Sequence, residues 1–317
     1  MQKCFNIYGL GGAGINNLNY LLKNTKHGKF IDNVLGVDFS DANPGTDGAY
    51  HIERMEGAEG SGSNKATNVA QAPDLIQRAL AKLPPNKLNI VIYSASGGSG
   101  AVLGPYMVRE LIKKEIPVLS IVIGDSTSIK EMDNTVGTLR SLSAQAVALE
   151  APVLFCYREN NTKNTQGAVN TEVARVIDNA LLMLNLNNER IDYADIKNLF
   201  FFTSVVKADP ILSEVSFCDE TKVAEYKRMP VAALSLYSDI DQIRAPFDNL
   251  LYRKAGLFTE GTKGFVETAH VVLDHGSTLL GLEEMMKEQA AKQAELSGRH
   301  KAKKLDLSGA NDDGMFL

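Results

Sequence analysis

A run of small residues at 94–105 constrains the fold of this chain more than any other segment. An apolar run at 88–93 leads into it as a buried strand would, and apolar residues at helical spacing follow it at 107–112. The segment therefore predicts a strand, a tight loop and a helix start. Free N–H groups at a helix start, together with the positive end of the helix dipole, favour an anion. The loop glycines that allow close backbone approach are Gly97, Gly98 and Gly100.

A second loop of the same kind lies near the start of the chain. A strand pattern at 4–8 runs into Gly-Leu-Gly-Gly-Ala-Gly at 9–14, and a helical pattern follows. The spacing Gly-x-Gly-x-x-Gly, with Asp38 ending the next strand pattern, is typical of dinucleotide sites, where the acidic residue binds a ribose hydroxyl. On these residues alone, an NAD(P)-dependent Rossmann oxidoreductase is an alternative function.

Two more glycine-containing polar loops set the chain apart from a simple dinucleotide-binding protein. One occupies 41–45 and carries Asp41, and the other occupies 59–65 before a helical pattern at 75–80. An NAD site does not need this many glycine-rich loops. They suit a triphosphate, because its oxygens accept hydrogen bonds from donors on several sides. The sequence contains no Gly-x-x-x-x-Gly-Lys-Ser/Thr, the motif of ordinary P-loop nucleotidases.

Composition narrows the class of protein. A chain of 317 residues can form about two domains, and 44% hydrophobic with 22% charged residues is ordinary for a globular protein. The net charge of −5 argues against a general nucleic-acid surface. No apolar stretch approaches the roughly 20 residues of a membrane helix, and the first residues lack a signal-peptide layout, so we expect a cytoplasmic protein without membrane contact. The scattered cysteines are expected to be buried free thiols: Cys4, Cys156 and Cys218.

The order of patterns predicts the fold class. Strands and helices alternate, with apolar strands at 117–124 and 152–157, which indicates an α/β fold with a mostly parallel, Rossmann-like sheet. Ligands of such sheets bind at the carboxyl ends of the strands. A long helical pattern at 167–186 has the broad apolar surface of a helix buried between domains. The other patterns are helices near 134–150 and 196–206, strands at 231–237 and 264–273, a helix from 277 and a charged, apolar-tipped tail.

Two segments resemble the tubulin/FtsZ superfamily of polymerising GTPases, and the resemblance covers essentially the whole chain. Residues 96–102 (SGGSGAV) are similar to the glycine-rich signature Gly-Gly-Gly-Thr-Gly-Ser/Thr-Gly. Residues 191–197 (IDYADIK) resemble the Val-Asp-Phe-Ala-Asp-Val-Arg/Lys loop that follows a long helix in bacterial members. The chain departs from the family at Arg190, where an asparagine is usual, and at Gln166, where an aromatic often covers the base. The short length and acidic tail look most like the phage-encoded tubulins of the PhuZ type, with plasmid-partition homologues as the alternative.

The resemblance implies the tubulin/FtsZ fold, with a parallel-sheet GTPase domain and a smaller α+β domain joined by a long central helix. The implied divisions are a GTP-binding domain at 1–165, the central helix at 166–188, a catalytic loop and following helix at 189–206, a second, activation-type domain at 207–276 and a C-terminal helix with an acidic tail at 277–317.

The resemblance also implies how GTP or GDP is held. The phosphate-binding positions would be small residues of the loops: Gly11, Gly12, Ala13, Asn16, Gly97, Gly98, Ser99 and Gly100. Ser63 and Asn64 would approach the γ-phosphate, and Asp41 would approach its Mg²⁺ and water. Glu131 would accept a hydrogen bond from the ribose. Asn160 and Asn170 would pair with guanine, since carboxamides offer both a donor and an acceptor.

Asp192 and Asp195 are the catalytic residues that the resemblance implies. In the family their loop projects into the nucleotide site of the next subunit, where its carboxylates orient or deprotonate the attacking water. The implied protein is a GTPase whose site is completed by head-to-tail polymerisation with another copy, and whose dynamic filaments position phage DNA in the infected cell. Asp312, Asp313 and the apolar end at 315–317 are expected to dock on the neighbouring subunit. A catalytically inactive tubulin relative is a further alternative.

Overall fold

The computed structural model describes residues 2–46, 48–55, 57, 60–62, 64–259 and 267–299. Its strands are β1 (Phe5–Leu10), β2 (Ile31–Asp38), β3 (His51–Arg54), β4 (Leu88–Ser94), β5 (Val118–Asp125), β6 (Val153–Asn160), β7 (Leu212–Cys218), β8 (Pro230–Tyr237), β9 (Tyr252–Leu257) and β10 (Thr268–His275). Its α-helices are α1 (Gly11–Asn24), α2 (Ala72–Lys82), α3 (Ser99–Lys113), α4 (Ile129–Ala148), α5 (Gln166–Met183), α6 (Tyr193–Phe200), α7 (Glu220–Ala224) and α8 (Thr278–Arg299).

The strands form one sheet in the order β3-β2-β1-β4-β5-β6-β7-β10-β8-β9. All pairings from β3 to β7 are parallel, as is β8 with β9, whereas β10 runs antiparallel to both of its neighbours. Every residue of β1 is buried, as expected where helices cover both faces of a parallel sheet. The predicted α/β fold is confirmed, and the carboxyl ends of β1, β2, β4, β5 and β6 lie along one edge.

Three strands, β3, β7 and β9, were not predicted from the sequence. β3 and β9 are the edge strands, so they need no continuous apolar run, and their sequences HIER and YRKAGL show none. β7 joins the sheet through a short parallel pairing with β6, from Val153 opposite Leu212 to Phe155 opposite Glu214. The domain boundary expected near 207 therefore falls between neighbouring strands of a continuous sheet, and the division into domains stays a prediction.

Capping explains why several helix boundaries differ from those predicted. α4 begins at Ile129 rather than near 134, because the Ser128 side chain accepts a hydrogen bond from the backbone N of Glu131. α6 ends at Phe200, short of the predicted 206, and a 3-10 turn follows at Phe202–Ser204. The predicted start of the last strand at 264 lies outside the described residues.

The central helix α5 packs against α1, β6, β7 and β10, with Val169, Val173 and Ile177 buried. Asp178 on this helix accepts a hydrogen bond from Thr25 Oγ1 at 2.6 Å, which ties the end of α1 to it. These contacts confirm the prediction of a buried long helix after the first set of strands.

The three cysteines are free and buried, as predicted. Burial raises the pKa of Cys156 to about 12, so its thiol is protonated and unreactive at neutral pH. Among the helices that the structure describes, none has the length and apolar character needed to cross a bilayer.

Candidate functional site

Two glycine-rich loops meet at the carboxyl edge of the sheet, one after β1 and the other after β4. Gly11 has a φ of +69°, a conformation that side chains disfavour. A Cβ atom at Gly11 would also lie only 2.7 Å from the backbone N of Gly100. The two loop backbones are therefore in direct contact, and this contact requires a glycine at position 11.

α1 and α3 begin in these loops, and neither helix start is capped by a side chain. The N-cap residues, Leu10 and Gly98, make no side-chain hydrogen bond to the first turn. The first N–H groups of both helices are therefore left as donors, and both helix starts line the same space. A group with several negatively charged oxygens suits two such helix starts.

This space, which we call the first cavity, has a volume of about 330 Å³. Local contacts shape its wall: Ser94 Oγ accepts from the backbone N of Gly97 at 3.2 Å, and Ser61 Oγ lies 3.5 Å from Ser99 Oγ. Backbone and small polar side chains thus dominate the wall. The cavity is lined by Leu10, Gly12, Ala13, Asp38, Ser40, Ala42, Asn43, Gly60, Ser61, Gly62, Ser94, Gly97, Gly98, Ser99 and Gly100.

Asp38 lines the first cavity but is already bonded within the protein. Its side chain is buried and accepts hydrogen bonds from the backbone N of Phe39 at 2.8 Å and from Asn43 Nδ2 at 3.2 Å. Burial raises the pKa of the Asp38 carboxyl, and these hydrogen bonds oppose the shift. Both Asp38 oxygens thus already accept a hydrogen bond within the protein, which weakens the dinucleotide interpretation.

The loop at 40–43 is held in place by Arg54. The Arg54 guanidinium donates from Nε to the backbone O of Ser40 at 3.0 Å and from NH2 to the backbone O of Asn43 at 2.8 Å. The Asn43 amide in turn packs on Gly12, where a Cβ atom would lie 2.6 Å from Asn43 Nδ2. The sequence analysis assigned no role to Arg54, Ser40 or Asn43. Asn43 and Gly12 line both the first cavity and a second cavity beside it.

A second cavity of about 220 Å³ adjoins the first and shares Gly12, Ala13 and Asn43 with it. Most of its side chains are carboxamides. The Oδ1 atoms of Asn17 and Asn160 are buried without a hydrogen-bond partner among the described residues. Carboxamides offer both a donor and an acceptor, so the cavity suits the polar edge of a heterocyclic base. Its lining residues are Gly12, Ala13, Asn16, Asn17, Asn43, Ile123, Asn160, Gln166 and Asn170.

Most of the predicted binding residues come together in these two cavities. The first cavity is lined by Gly12, Ala13, Gly97, Gly98, Ser99 and Gly100. The second cavity is lined by Asn16, Asn160 and Asn170. Gly11 forms the contact between the two loops. Gln166 lines the second cavity as a further carboxamide, where the family often has an aromatic ring.

Other predicted residues lie outside both cavities. Asp41 is exposed on the loop at 40–43, and Asn64 is exposed with its Oδ1 accepting from the backbone N of Ala66 at 3.1 Å. The Glu131 carboxylate accepts from Ser128 Oγ at 2.6 Å, at the start of α4. Ser63 lies outside the described residues.

Sequence reasoning missed Asn17, Asn43 and Ser61 as lining residues. Asn17 is 3% exposed and lies inside α1. Because asparagine is a poor helix former, an asparagine inside a helical pattern was the one feature of the sequence that could have marked Asn17 as a lining residue. Ser61 and Asn43 lie in loops whose path the sequence does not reveal, and no local pattern marked them.

Asp192 and Asp195 form a capping box at the start of α6. Asp192 Oδ1 accepts from the backbone N of Asp195 at 3.0 Å, and Asp195 Oδ2 accepts from the backbone N of Asp192 at 3.1 Å. Asp195 also pairs with Lys254 Nζ at 2.7 Å. Asp192 is exposed, whereas Asp195 is half-buried. Both aspartates therefore have a structural role in addition to the predicted catalytic one.

The two aspartates lie at the amino edge of the sheet, opposite the cavities. Asn187, in the same loop, exchanges hydrogen bonds with Gln2 just before β1, and Lys87 just before β4 lies over the Tyr193 ring at 5.7 Å. The six residues of β1 alone separate the two edges by about 20 Å at roughly 3.3 Å per residue. Asp192 of one chain therefore cannot reach the cavities of the same chain.

Comparison of the sequence with known proteins gives consistent matches. Residues 191–275 match the family model described as phage tubulin-like protein, C-terminal domain. Curated phage tubulin-like proteins are similar: that of Pseudomonas phage 201phi2-1 is 29% identical over 210 residues, and that of Pseudomonas phage PhiPA3 is 28% identical over 211 residues. These matches cover 66% and 64% of this chain and 66% and 65% of the relatives, so the chain spans just under two thirds of their length.

Solved structures of the same kind share the fold over nearly the whole chain. A phage tubulin PhuZ structure with GDP matches with a TM-score of 0.87 at 25% identity, covering 99% of both chains. A PhuZ201 filament matches with a TM-score of 0.81 at 25% identity over the same coverage. A TubZ protofilament from Bacteriophage PhiKZ, at 23% identity, shares the fold with a TM-score of 0.85 and again covers 99% of both chains.

Proposed function

We propose that this chain, which matches phage tubulin-like proteins in sequence and shares the tubulin/FtsZ fold, binds guanine nucleotide, assembles head to tail into filaments and hydrolyses GTP between subunits. One observation carries the proposal: the nucleotide-sized pair of cavities and the acidic loop at Asp192 occupy opposite edges of the same parallel sheet. A chain built in this way brings the two together only when copies stack.

The phosphates belong in the first cavity. Two uncapped helix starts supply N–H donors there, and Ser61 and Ser99 add hydroxyls. The contact between Gly11 and Gly100 brings the two sets of donors close enough to act on one polyphosphate. The PhuZ structure with GDP, which shares this fold, supports the assignment.

Guanine belongs in the second cavity. Its Watson–Crick edge has two donor groups and one acceptor, and Asn17 and Asn160 present buried acceptor oxygens without partners among the described residues. Asn170 on α5 lines the same cavity and supplies both kinds of group. Because Gln166 replaces an aromatic ring, we propose that hydrogen bonds rather than stacking select the base.

Asp192 completes the site of the next subunit. The helix cap uses its Oδ1 atom, which leaves Oδ2 to accept a proton from, or orient, the attacking water. Asp195 is held by Lys254 and by the capping box, so we assign it to holding the loop and tuning the charge near that water. Hydrolysis then depends on polymerisation, because neither copy alone has both halves of the site.

Mg²⁺ would accompany the triphosphate. Among the described residues no cluster of three His, Cys, Asp or Glu side chains could hold a metal ion by itself. Magnesium in nucleotide sites is commonly held by the phosphates and one or two carboxylates. Exposed Asp41, beside Ala42 and Asn43 of the cavity wall, is one carboxylate that this chain offers, and Asp38 lines the cavity itself.

Sedimentation and electron microscopy of the purified protein test the proposal. With GTP we expect pelleting and visible filaments, and with a non-hydrolysable GTP analogue we expect filaments that persist. The same protein with NAD serves as the control. Binding of NAD without pelleting, and no response to GTP, would favour the oxidoreductase instead. Filaments without phosphate release would indicate the inactive tubulin relative.

Removal of residues 306–317 is expected to weaken polymerisation. Those residues lie outside the described part of the chain, and the expectation rests on their sequence, which joins Asp312 and Asp313 to an apolar end. Losing a contact worth about 1.4 kcal/mol raises the critical concentration roughly tenfold. Light scattering against protein concentration measures it, and an unchanged critical concentration would remove the tail from the interface.

We further propose that the filaments position phage DNA in the cytoplasm of an infected bacterium, since the curated relatives come from Pseudomonas phages. A plasmid-partition role is the alternative. Fluorescent imaging of the tagged protein in infected cells separates them: filaments that flank a central mass of phage DNA support the first role, and filaments that move with a plasmid support the second.

A further inference from the structure

Lys65 lies in the loop at 60–68, of which the structure describes residues 60–62 and 64–68, and residues 60–62 line the first cavity. Its ammonium donates a hydrogen bond to the backbone O of Asn134 and another to Thr138 Oγ1, the latter at 2.7 Å. Both acceptors lie on α4. The Lys65 side chain therefore fastens this loop to α4, a few residues away from the point at which the loop forms the cavity wall.

The same two α4 residues also hold the loop at 94–99, which forms another part of the cavity wall. Asn134 Nδ2 donates to the backbone O of Ser96 at 2.8 Å, and Thr138 Oγ1 lies 3.0 Å from the backbone O of Ala95. Asn134 and Thr138 are 4% and 1% exposed. The loop at 60–68 and the loop at 94–99 thus converge on α4, where the Lys65 ammonium links them in addition to the contact of Ser61 Oγ with Ser99 Oγ.

The electrostatic surroundings make this link sensitive to charge. Lys65 is half-buried, its two acceptors are uncharged oxygens, and no carboxylate among the described residues forms an ion pair with it. Burial lowers the pKa of Lys65 to about 8, the charge of Asp133 opposes this shift and that of Lys130 adds to it. Arg109 on α3 lines the same groove as Lys65, and its guanidinium is paired with the Glu110 carboxylate at 2.9 Å.

We propose that Lys65 is a positioning residue for the nucleotide, whose ammonium holds the loops at 60–68 and 94–99 together around the terminal phosphates. This inference rests on the proposed function. The ammonium does not need to touch the nucleotide, because it acts through the two loops that do. Negative phosphates in the cavity favour the charged form of Lys65. Bound nucleotide and the linkage of the two loops by Lys65 therefore stabilise each other.

Replacing Lys65 by Met separates positioning from a merely structural role. Met fills a similar volume without the cost of burying a charge, so the melting temperature should be unchanged or higher. Affinity for GDP and GTP should fall at least tenfold, with the loss appearing in KM rather than in kcat at saturating GTP. Lys65→Arg is the matched control, since it keeps the charge and should retain most of the affinity. A lower melting temperature with unchanged affinity would overturn the proposal.

A pH series supplies a second measurement. As the pH rises from about 7 to 9, the wild-type ammonium loses its proton and nucleotide affinity should fall, whereas the Lys65→Arg variant stays charged and its affinity should not follow that fall. Parallel profiles for the two proteins would overturn the proposal. If wild-type protein binds no guanine nucleotide at any pH, the proposed function fails. If it binds and Lys65→Met binds equally well, only the role of Lys65 fails.

Discussion

Asp192→Asn is expected to polymerise with GTP but to release phosphate about 10²–10⁴-fold more slowly than wild type, which is the usual contribution of a general base. Asparagine caps a helix as well as aspartate does, so the hydrogen bond to the backbone N of Asp195 is preserved and α6 should remain folded. Phosphate release and pelleting are measured on the same sample. Equal phosphate release by variant and wild type would refute the assignment of Asp192.

Asp192→Ala provides the comparison that separates the base from the cap. It removes both, and loss of an N-cap costs about 1 kcal/mol of stability, so its melting temperature should fall below that of Asp192→Asn. If the two variants lose activity equally but only the alanine variant loses stability, the carboxylate acts in catalysis independently of its structural role.

Mixing two inactive variants tests whether catalysis crosses the interface. Asp192→Asn keeps an intact pair of cavities, and a chain with a damaged first cavity keeps Asp192. Where the two meet head to tail, an intact cavity faces an intact aspartate, so phosphate release should recover in the mixture to a fraction of the wild-type rate. Mixed filaments that show no recovery, or a strictly monomeric preparation with full activity, would contradict the proposal.

Gly98→Ala is expected to weaken nucleotide binding about 10- to 100-fold. A Cβ atom at Gly98 would lie 2.3 Å from the Cβ of Ser61, so Ser61 on the cavity wall must shift. Overpacking of this kind costs about 1–3 kcal/mol, which corresponds to the expected loss. Titration with fluorescent GDP measures it.

Gly97→Ala is the matched control from the same loop. Its added Cβ would lie 3.6 Å from Ser94 Oγ, an ordinary contact, so the affinity should change less than about threefold. Ser61→Gly removes the Ser61 Cβ, with which the Cβ of Gly98→Ala would clash. The double variant should therefore recover part of the nucleotide affinity that Gly98→Ala loses. Equal losses for Gly97→Ala and Gly98→Ala would show that loop flexibility, rather than the contact with Ser61, governs binding.

The glycine loops could be predicted from the sequence because their requirements are local. A strand pattern, a run of small residues and a helical pattern lie next to each other in the chain, and they place Gly11 and Gly98 at helix starts without further information. The edge strands β3 and β9 could not be predicted in the same way, because a strand with one exposed side needs no apolar run.

Other parts of the site depend on contacts between distant segments. Asn43 reaches the cavities because Arg54 holds its loop, and Lys65 matters because of two residues on α4. Asp38 looked like a ribose ligand in the sequence, but in the fold its carboxylate is buried and bonded to Phe39 and Asn43. Nothing in the local sequence of these residues reveals their partners.

The sequence by itself determined that this chain forms a parallel α/β sheet with glycine-rich helix starts suited to phosphate, since these features follow from periodicity and residue size at neighbouring positions. Only the tertiary structure decided that Asp192 and the cavities lie at opposite edges of that sheet. The reason is physical: loops that follow parallel strands lie at one edge of the sheet, whereas the loop between α5 and α6 contacts the residues that precede β1 and β4 at the other edge. The length of β1 keeps the two edges apart.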